Sequence, residues 1–287
     1  MGVIDTARRK QVDLAALRGR SALVTGGASG IGASLGRALV AAGCHVVLGD
    51  IDGEGARKVA ASLVGPGTAT GLALDVTDAG AVASAVESIV EARGSIDLLF
   101  NNAGITLIGD SEQLSLAQWN AIIDINIRGV VNGVAAAYPR MVAQQSGQIV
   151  NTASAGGLMA AGLLTSYVMT KHAVVGLSLA LRTEAAGHGV GITVICPGAV
   201  ETPILEKGEF GSINGRDYYL KGQGIKKAVD PDELAVKVLE AVVADKPLVI
   251  EPVQTRFAWR LNRFLPRIME RASIRYVAKQ RKSGQRG

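Results

Sequence analysis

The sequence predicts a single doubly wound α/β domain with a seven-stranded parallel sheet, helices on both faces and a basic amphipathic helix at its C-terminus. Short β-branched or Leu-rich runs alternate with longer Ala-rich segments of helical period, which is the pattern of repeated βαβ units. The chain has 287 residues, 48% of them hydrophobic, which is enough for one continuous core. Residues 256–287 contain ten Lys or Arg and one acid, so their net charge is +9, whereas the chain as a whole carries +5.

The predicted elements alternate along the chain. Strands are expected near Ala22–Thr25, His45–Asp50, Thr70–Asp75, Ile96–Asn101, Gln148–Thr152, Gly191–Cys196 and Leu248–Ile250. Helices are expected at Gly30–Ala42, Glu54–Val64, Ala79–Arg93, Leu116–Met141, Ser166–Gly187 and Asp232–Ala244. Because each strand is followed by a helical segment, the helices should cover both faces of one sheet.

Three regions follow from this pattern. Residues 1–18 form an N-terminal extension, residues 19–255 the main domain and residues 256–287 a basic tail. Residues 202–228 interrupt the alternation with five glycines and little apolar periodicity, which favours a substrate loop over a plain surface insertion. The N-terminal segment has no apolar run, so we expect no signal peptide. The longest uncharged stretch, Met141–Thr170, contains several polar residues, so we expect no membrane span. We therefore predict a cytoplasmic protein.

Composition excludes several classes of function. Cys44 and Cys196 both lie in apolar, strand-like surroundings, which favours buried free thiols over a disulfide. The three histidines have no metal-ligand spacing, and we expect no metal. With +9 in the tail and +5 overall, residues 1–255 sum to −4, so a nucleic-acid-binding body is not predicted.

A glycine-rich turn follows the first predicted strand, where Thr25-Gly-Gly-Ala-Ser-Gly-Ile-Gly32 leads into a helix. Glycine permits a positive φ and lets the backbone approach a pyrophosphate, whose charge then faces the helix N-terminus. Tight turns also use glycine without a ligand, so this motif alone is weak.

Asp50 ends the second predicted strand, where an acidic side chain would hydrogen-bond the ribose hydroxyls of NAD. The alternative is an ordinary strand-end Asp. A 2′-phosphate about 4 Å away would be repelled by roughly 4 kcal/mol at an effective dielectric near 20. Ser29 is not a base, and Arg57 and Lys58 are the only nearby cations, so NAD is favoured over NADP.

Tyr167 and Lys171 are four residues apart in a segment of helical period and therefore share one helix face. A phenol with a pKa near 10 is a poor base at neutral pH, and a neighbouring ammonium favours the phenolate. The pair could act as a tuned acid and base. Alone, however, this spacing is common by chance and more often marks a solvated helix face.

Taken together, five ordered motifs resemble the short-chain dehydrogenase/reductase family over about residues 19–252. They are Thr25–Gly32, Asn101-Asn-Ala-Gly104, Ser154, Tyr167-Val-Met-Thr-Lys171, and Pro197-Gly198 followed by Thr202. The resemblance implies a Rossmann-fold catalytic domain over residues 19–255 and a hydride transfer between NAD(H) and a secondary alcohol or ketone. The competing hypothesis is a catalytically inactive NAD-binding or scaffold protein on the same fold.

The resemblance also implies residue roles. Tyr167 would exchange a proton with the substrate oxygen, and Ser154 would hydrogen-bond the same oxygen. Lys171 would lower the pKa of Tyr167 and bind the nicotinamide ribose, and Asn126 would hold a water of a proton relay. Expected cofactor contacts are Gly26, Ser29, Gly30, Ile31, Gly32, Asp50, Asp75, Val76, Asn102, Ala103, Gly104, Tyr167, Lys171, Pro197, Gly198, Val200 and Thr202.

Two further expectations concern partners. The segment Gly156–Thr165 is almost entirely apolar, which indicates an apolar small-molecule substrate. By resemblance, the protein is expected to form a homotetramer or dimer through the helices that carry Asn126 and Tyr167.

The basic tail has the pattern of an amphipathic helix kinked at Pro266. One cationic stripe comprises Arg256, Arg260, Arg263, Arg267, Arg271, Arg275 and Lys279, and the adjacent apolar stripe comprises Phe257, Leu261, Phe264, Ile268, Ala272 and Tyr276. Two interpretations are open: contact with a membrane surface, or an apolar stripe that covers the substrate pocket or a neighbouring subunit. We favour the second, because oxidoreductases need pockets closed from water.

Overall fold

The computed structural model describes residues 13–206, 215–222 and 224–284. Most of the predicted N-terminal extension lies outside the described residues, and so do residues 207–214 and 223 of the predicted substrate loop. The described end of the extension forms one 3₁₀ turn, Leu14–Leu17, which Asp13 caps through its side chain.

The seven strands form one parallel sheet, as predicted. They are β1 (Ser21–Thr25), β2 (His45–Asp50), β3 (Thr68–Ala73), β4 (Leu98–Asn101), β5 (Gly147–Thr152), β6 (Val190–Pro197) and β7 (Leu248–Glu251). Their spatial order is β3-β2-β1-β4-β5-β6-β7. The order reverses between β1 and β4, and in such sheets ligands bind outside the carboxyl ends of the strands at that point.

Ten α-helices connect and follow these strands within the described residues. They are α1 (Gly30–Ala41), α2 (Gly53–Ser62), α3 (Ala79–Arg93), α4 (Leu116–Ile123), α5 (Gly129–Gln144), α6 (Thr165–Ala185), α7 (Gly215–Gly222), α8 (Pro231–Val243), α9 (Val253–Phe264) and α10 (Pro266–Gly284). Asp52, Asp78 and Asp230 cap the first turns of α2, α3 and α8 with their side chains.

Two apolar cores lie on opposite faces of the sheet. On one face, Val24 and Phe100 pack with residues of α1, α2 and α8. On the other, Leu23 and Leu99 pack with residues of α3, α5 and α6. Neighbouring residues of one strand therefore enter different cores, which explains why these strands are apolar throughout instead of alternating.

The predicted helix Leu116–Met141 is interrupted. A capping box formed by Ser115 and Gln118 begins α4, and residues Asp124–Arg128 form a π-helical turn between α4 and α5. The extra residue of a π turn leaves the apolar pattern almost unchanged, so the sequence resembles one regular helix. The turn places Asn126 in the interior with no exposed surface.

The two atypical segments also contain more regular structure than the sequence indicates. Helix α7 lies inside the predicted substrate loop, and the tail is helical from Val253, three residues before its expected start. The tail divides into α9 and α10 at Pro266, where a kink was predicted. Within the described part of the chain, none of the helices is long and apolar enough to span a bilayer.

Candidate active site

A cavity of about 530 Å³ opens at the carboxyl ends of β1, β4, β5 and β6. The predicted site residues that line it are Gly26, Ser29, Gly30, Ile31, Asp50, Asp75, Val76, Asn102, Ala103, Gly104, Ser154, Tyr167, Lys171, Pro197, Gly198, Val200 and Thr202. Two predicted residues, Gly32 and Asn126, do not line the cavity and lie behind its wall. The topology thus brings residues as far apart in the chain as Gly26 and Thr202 to one edge of the sheet.

The glycine-rich turn forms one end of the cavity. Gly26 and Gly30 have φ values of 70° and 52°, in the left-handed region that favours glycine. Ser29 occupies the N-cap of α1 without capping it through its side chain, so N–H groups of the first turn remain available to a ligand. A Cβ on Gly32 would lie 2.0 Å from the carbonyl oxygen of Gly26, so Gly32 allows close packing of the turn. This cradle fits the pyrophosphate of a dinucleotide.

Asp50 lines the cavity at the end of β2, and its carboxylate accepts two backbone hydrogen bonds. One comes from the Ala28 N–H at 3.0 Å and the other from the Asp52 N–H at 3.0 Å. The next residue, Ile51, also lines the cavity although its side chain is 78% exposed. Lys58 is paired with Glu54 on the surface at 2.6 Å and does not line the cavity, so it does not offset the charge of Asp50 there.

Tyr167 and Ser154 meet at the other end of the cavity. Tyr167 is buried on α6, and its hydroxyl is hydrogen-bonded to the Ser154 side chain. Ser154 follows β5, and its Oγ accepts the Gly156 N–H at 3.1 Å, which fixes the side chain. Burial raises the pKa of Tyr167 to about 12, and the hydrogen bond to Ser154 opposes that rise. At neutral pH the Tyr167 hydroxyl is therefore a protonated donor.

Lys171 lies one turn after Tyr167, with its Nζ 5.6 Å from the centre of the Tyr167 ring. Nζ donates a hydrogen bond to the Thr152 carbonyl oxygen at 2.8 Å. Burial lowers the pKa of Lys171 to about 8, and the neighbouring Cys196 opposes that shift. We expected Lys171 to lower the pKa of Tyr167. Burial outweighs that effect, because the ammonium lies over the ring and is hydrogen-bonded to the Thr152 carbonyl oxygen.

Asn126 contacts the backbone that forms the cavity wall. Its Oδ1 accepts the Ile105 N–H at 2.9 Å, and its Nδ2 donates to the Ile105 carbonyl oxygen at 2.9 Å and to Thr170 Oγ1 at 3.0 Å. A Cβ on Gly104 would lie 3.2 Å from Asn126 Oδ1 and 3.3 Å from Lys171 Nζ. Gly104 therefore leaves the space between these two polar groups open.

The substrate side of the cavity is lined by residues that the sequence did not single out. Ile105, Ile204 and Leu205 supply apolar surface, and Thr106 and Tyr219 supply hydroxyls 2.7 Å apart. No residue of the apolar segment 156–165 lines the cavity; Leu163 and Leu164 instead pack behind Tyr167 with Tyr218. Tyr219 belongs to α7, so the predicted substrate loop does reach the cavity.

The tail contacts this side of the molecule through α10. The Tyr276 hydroxyl donates to the Tyr218 carbonyl oxygen at 2.9 Å, and the Tyr218 hydroxyl in turn donates to the Gly162 carbonyl oxygen. Val277 packs in the same apolar cluster, and Arg281 pairs with Asp110. These contacts support the interpretation that the tail covers the substrate side, but only for the second half of α10.

Comparisons with known proteins agree with this architecture. The family model described as short chain dehydrogenase matches residues 20–209. The oxidoreductase UcpA of Escherichia coli (strain K12) is 40% identical over 192 residues, which are 66% of this chain and 73% of that protein. The D-threitol dehydrogenase of Mycolicibacterium smegmatis is 36% identical over 226 residues, 76% of this chain and 84% of that enzyme. A solved short chain dehydrogenase/reductase from Burkholderia phymatum in complex with NAD superposes with a TM-score of 0.78 at 25% identity, covering 88% of this chain and 95% of that one.

Proposed function

The chain belongs to the short-chain dehydrogenase family, and from that premise we propose that it is an NAD-dependent oxidoreductase acting on an apolar secondary alcohol or the corresponding ketone. The observation that carries the proposal is the meeting of Tyr167, Ser154 and Lys171 in one cavity with the glycine-rich turn. A bound nicotinamide ring would accept or supply the hydride, which is chemistry that no side chain provides.

In the proposed reaction this chain moves a proton and holds the substrate oxygen. During reduction, the Tyr167 hydroxyl donates its proton to the carbonyl oxygen of the ketone, and Ser154 donates a hydrogen bond to the same atom. Lys171, whose Nζ lies 5.6 Å from the centre of the Tyr167 ring, returns a proton to Tyr167. Asn126 fixes Ile105 and so positions the wall beside Gly104. In alcohol oxidation each proton moves in the opposite direction.

NAD is the proposed cofactor because Asp50 ends β2 and lines the cavity, a position that supports hydrogen bonds from its carboxylate to the ribose hydroxyls of the adenosine. Hydrogen bonds from the backbone N–H groups of Ala28 and Asp52 hold the carboxylate in that position. A carboxylate can accept hydrogen bonds from two hydroxyls but repels a 2′-phosphate. We propose that Gly26, Ser29, Gly30 and Ile31 contact the pyrophosphate, and that Val200 and Thr202 contact the carboxamide.

The direct test is a screen of secondary alcohols, sterols and hydroxyacyl compounds as substrates. Formation of the reduced cofactor is followed by its absorbance, and each compound is tested with NAD and, in parallel, with NADP. Turnover of an apolar alcohol with NAD is expected, because Ile105, Ile204 and Leu205 line the substrate side. Binding of NAD without turnover of any compound in the screen would favour the alternative, a catalytically inactive NAD-binding or scaffold protein.

The pH profile should report the titration of Lys171. With a pKa of about 8, Lys171 is protonated below that pH and cannot accept the proton that alcohol oxidation releases. We therefore expect kcat for oxidation to rise, and kcat for reduction to fall, as the pH passes through about 8. Steady-state rates in both directions from about pH 6 to about pH 10 will check this.

Lys171→Arg is the matched variant for the pH experiment, because a guanidinium keeps its proton throughout the range. Circular dichroism should first establish that the variant is folded. Its residual activity should lack the transition near pH 8. A transition of unchanged position in Lys171→Arg would assign the titration to another group.

The oligomeric state and the location stay predictions from the sequence. Exposed apolar side chains on the helices that carry Asn126 and Tyr167 support a homotetramer or dimer built there. They are Leu116, Val131, Met169 and Leu179 on α4, α5 and α6. A cytoplasmic location remains our proposal from the two free thiols, Cys44 and Cys196, both of which are buried.

A further inference from the structure

We propose that α9 and α10 form a docking surface for an anionic lipid bilayer. The tail surface, as we define it, consists of three exposed apolar residues and four exposed arginines. They are Phe257, Phe264, Ile268, Arg260, Arg267, Arg271 and Arg275. This proposal concerns a binding property and is independent of the catalytic activity proposed above.

The apolar part of the tail surface is unusually open to solvent. Phe257 is 69% exposed, Phe264 81% and Ile268 56%. Val253 and Ile274 on the same two helices are also more than half exposed. Large apolar side chains that cluster on a surface mark a contact with a protein or a membrane, whereas scattered ones need no explanation.

The opposite side of α10 is already packed against the body. Tyr276 and Val277 lie in the apolar cluster with Tyr218, and the Tyr276 hydroxyl is bonded to the backbone of α7. Ile268 and Arg275 lie about 80° or more around the helix axis from Tyr276, given 100° per residue. The packed side therefore fixes α10 to the body while the tail surface faces outward.

The positive charge of the tail surface indicates which kind of partner binds there. Among the described residues, Arg256 and Arg281 form ion pairs, with Glu251 and Asp110. The four arginines of the tail surface form no ion pair with any residue in the described part of the chain. Glu270 is the single acid of residues 256–287. Arginines adjoining exposed Phe and Ile are the pattern of a helix that lies in a bilayer interface, with the aromatic rings among the acyl chains and the cations at anionic headgroups.

Two other occupants fit less well. A second copy joined through the same surface would bring two sets of arginines together, which like-charge repulsion disfavours. A nucleic acid would pair with the arginines but would leave Phe257 and Phe264 in water. Of these three occupants, the anionic membrane alone satisfies both the charged and the apolar part of the surface.

The test is co-sedimentation of the full-length protein with vesicles. The vesicles contain equal parts of phosphatidylglycerol and phosphatidylcholine, or phosphatidylcholine alone. We expect binding to the anionic vesicles at about 0.1 M NaCl that is at least about tenfold stronger than binding to phosphatidylcholine, and that weakens at high salt. No co-sedimentation, or equal binding to both vesicles, would overturn the proposal.

Two variant pairs separate the contributions of the tail surface. Phe257→Ser with Phe264→Ser should weaken vesicle binding at least about tenfold, because the inserted area is lost. The matched control is Val64→Ser with Val236→Ser, which removes two exposed apolar side chains from the body. Arg267→Gln with Arg271→Gln should weaken vesicle binding by a similar factor. The control is Arg93→Gln with Lys246→Gln, which removes the same number of positive charges from the body and should leave vesicle binding unchanged.

Two readouts exclude the competing occupants. The molar mass by light scattering should be unchanged in Phe257→Ser with Phe264→Ser; a smaller assembly would assign the surface to a subunit contact and overturn the proposal. Wild-type binding to duplex DNA that is tighter than binding to anionic vesicles would assign it to nucleic acid. If the apolar variant does not fold, the comparison of the two vesicle compositions and the salt dependence decide the outcome for the wild type.

Discussion

Tyr167→Phe is expected to reduce kcat by about 10³-fold, because general acid–base catalysis by a placed group contributes 10²- to 10⁴-fold. The variant removes only the hydroxyl that meets Ser154 in the cavity. Since burial raises the pKa of that hydroxyl to about 12, it is present as a proton donor throughout the neutral range. Phenylalanine fills the same volume, so α6 and the apolar cluster behind it should be preserved.

The measurement combines turnover with cofactor binding. NADH fluorescence should give a dissociation constant within about threefold of the wild type, since the proposed pyrophosphate and adenosine contacts are at the other end of the cavity. Tyr138→Phe is the matched control, because Tyr138 lies on α5 and packs in the core between α5 and the sheet. Wild-type turnover in Tyr167→Phe would remove the hydroxyl from the mechanism.

Asp50→Asn is expected to reduce the preference for NAD over NADP by about 100-fold in kcat/KM, since removing a charge repulsion of a few kcal/mol changes affinity by two or three decades before screening. Most of the change should come from improved use of NADP. The asparagine keeps one acceptor oxygen, so the turn loses one of the two backbone hydrogen bonds to Ala28 and Asp52. That loss costs about 1 kcal/mol of stability, which thermal unfolding can measure.

Asp75→Asn is the control for the cofactor experiment. Asp75 also lines the cavity, and its Oδ1 accepts the backbone N–H and the hydroxyl of Thr77 at 2.9 and 2.8 Å. The Asp75→Asn variant removes one negative charge from the same cavity, two residues after β3 and not at the end of β2. The NAD to NADP ratio should change by less than about twofold in this variant. An equal change in both variants would mean that the whole field of the cavity, and not Asp50, selects the cofactor.

The sheet and the cofactor end of the site could be predicted because their signals are local. Buried parallel strands are apolar throughout, and the glycine-rich turn must follow a strand and begin a helix, so position and type are visible together. Asp50 could be placed because it ends β2. Strand β3 begins and ends two residues earlier than predicted, and β4 begins two residues later than predicted but ends where expected. The apolar residues Leu74 and Ile96 lie just outside these strands, which is why the pattern included them.

The substrate side could not be predicted because its contacts join distant parts of the chain. Thr106 and Tyr219 are 113 residues apart, and Tyr219 lies in a segment whose glycines conceal the helical pattern of α7. The apolar segment 156–165 was interpreted as pocket lining, but two of its leucines pack behind Tyr167. The pKa of Tyr167 is raised because the whole fold buries its hydroxyl, and a local sequence pattern does not reveal that burial.

The purpose of Gly104 could likewise be understood only in three dimensions. From the sequence it is one glycine of an ordered motif. In the fold it is the position where a methyl group would enter the space between Asn126 and Lys171. The sequence did contain a signal that Ile51 lines the cavity. Ile51 directly follows Asp50, which ends a strand at the predicted nucleotide-binding edge, and an apolar side chain at that edge cannot pack into the core.

The π-helical turn at Asp124–Arg128 absorbs one residue without turning the flanking helices out of register. Ile122, Asn126 and Val130 are all buried although they are spaced four residues apart, and in a regular helix Ile122 and Val130 would point about 80° apart. Deleting one residue of the turn should therefore leave a continuous α-helix in which these two positions, then seven residues apart, still share a face within about 20°. The deletion should instead displace Asn126 from Ile105, so it separates the packing of the helix from the placing of one buried amide.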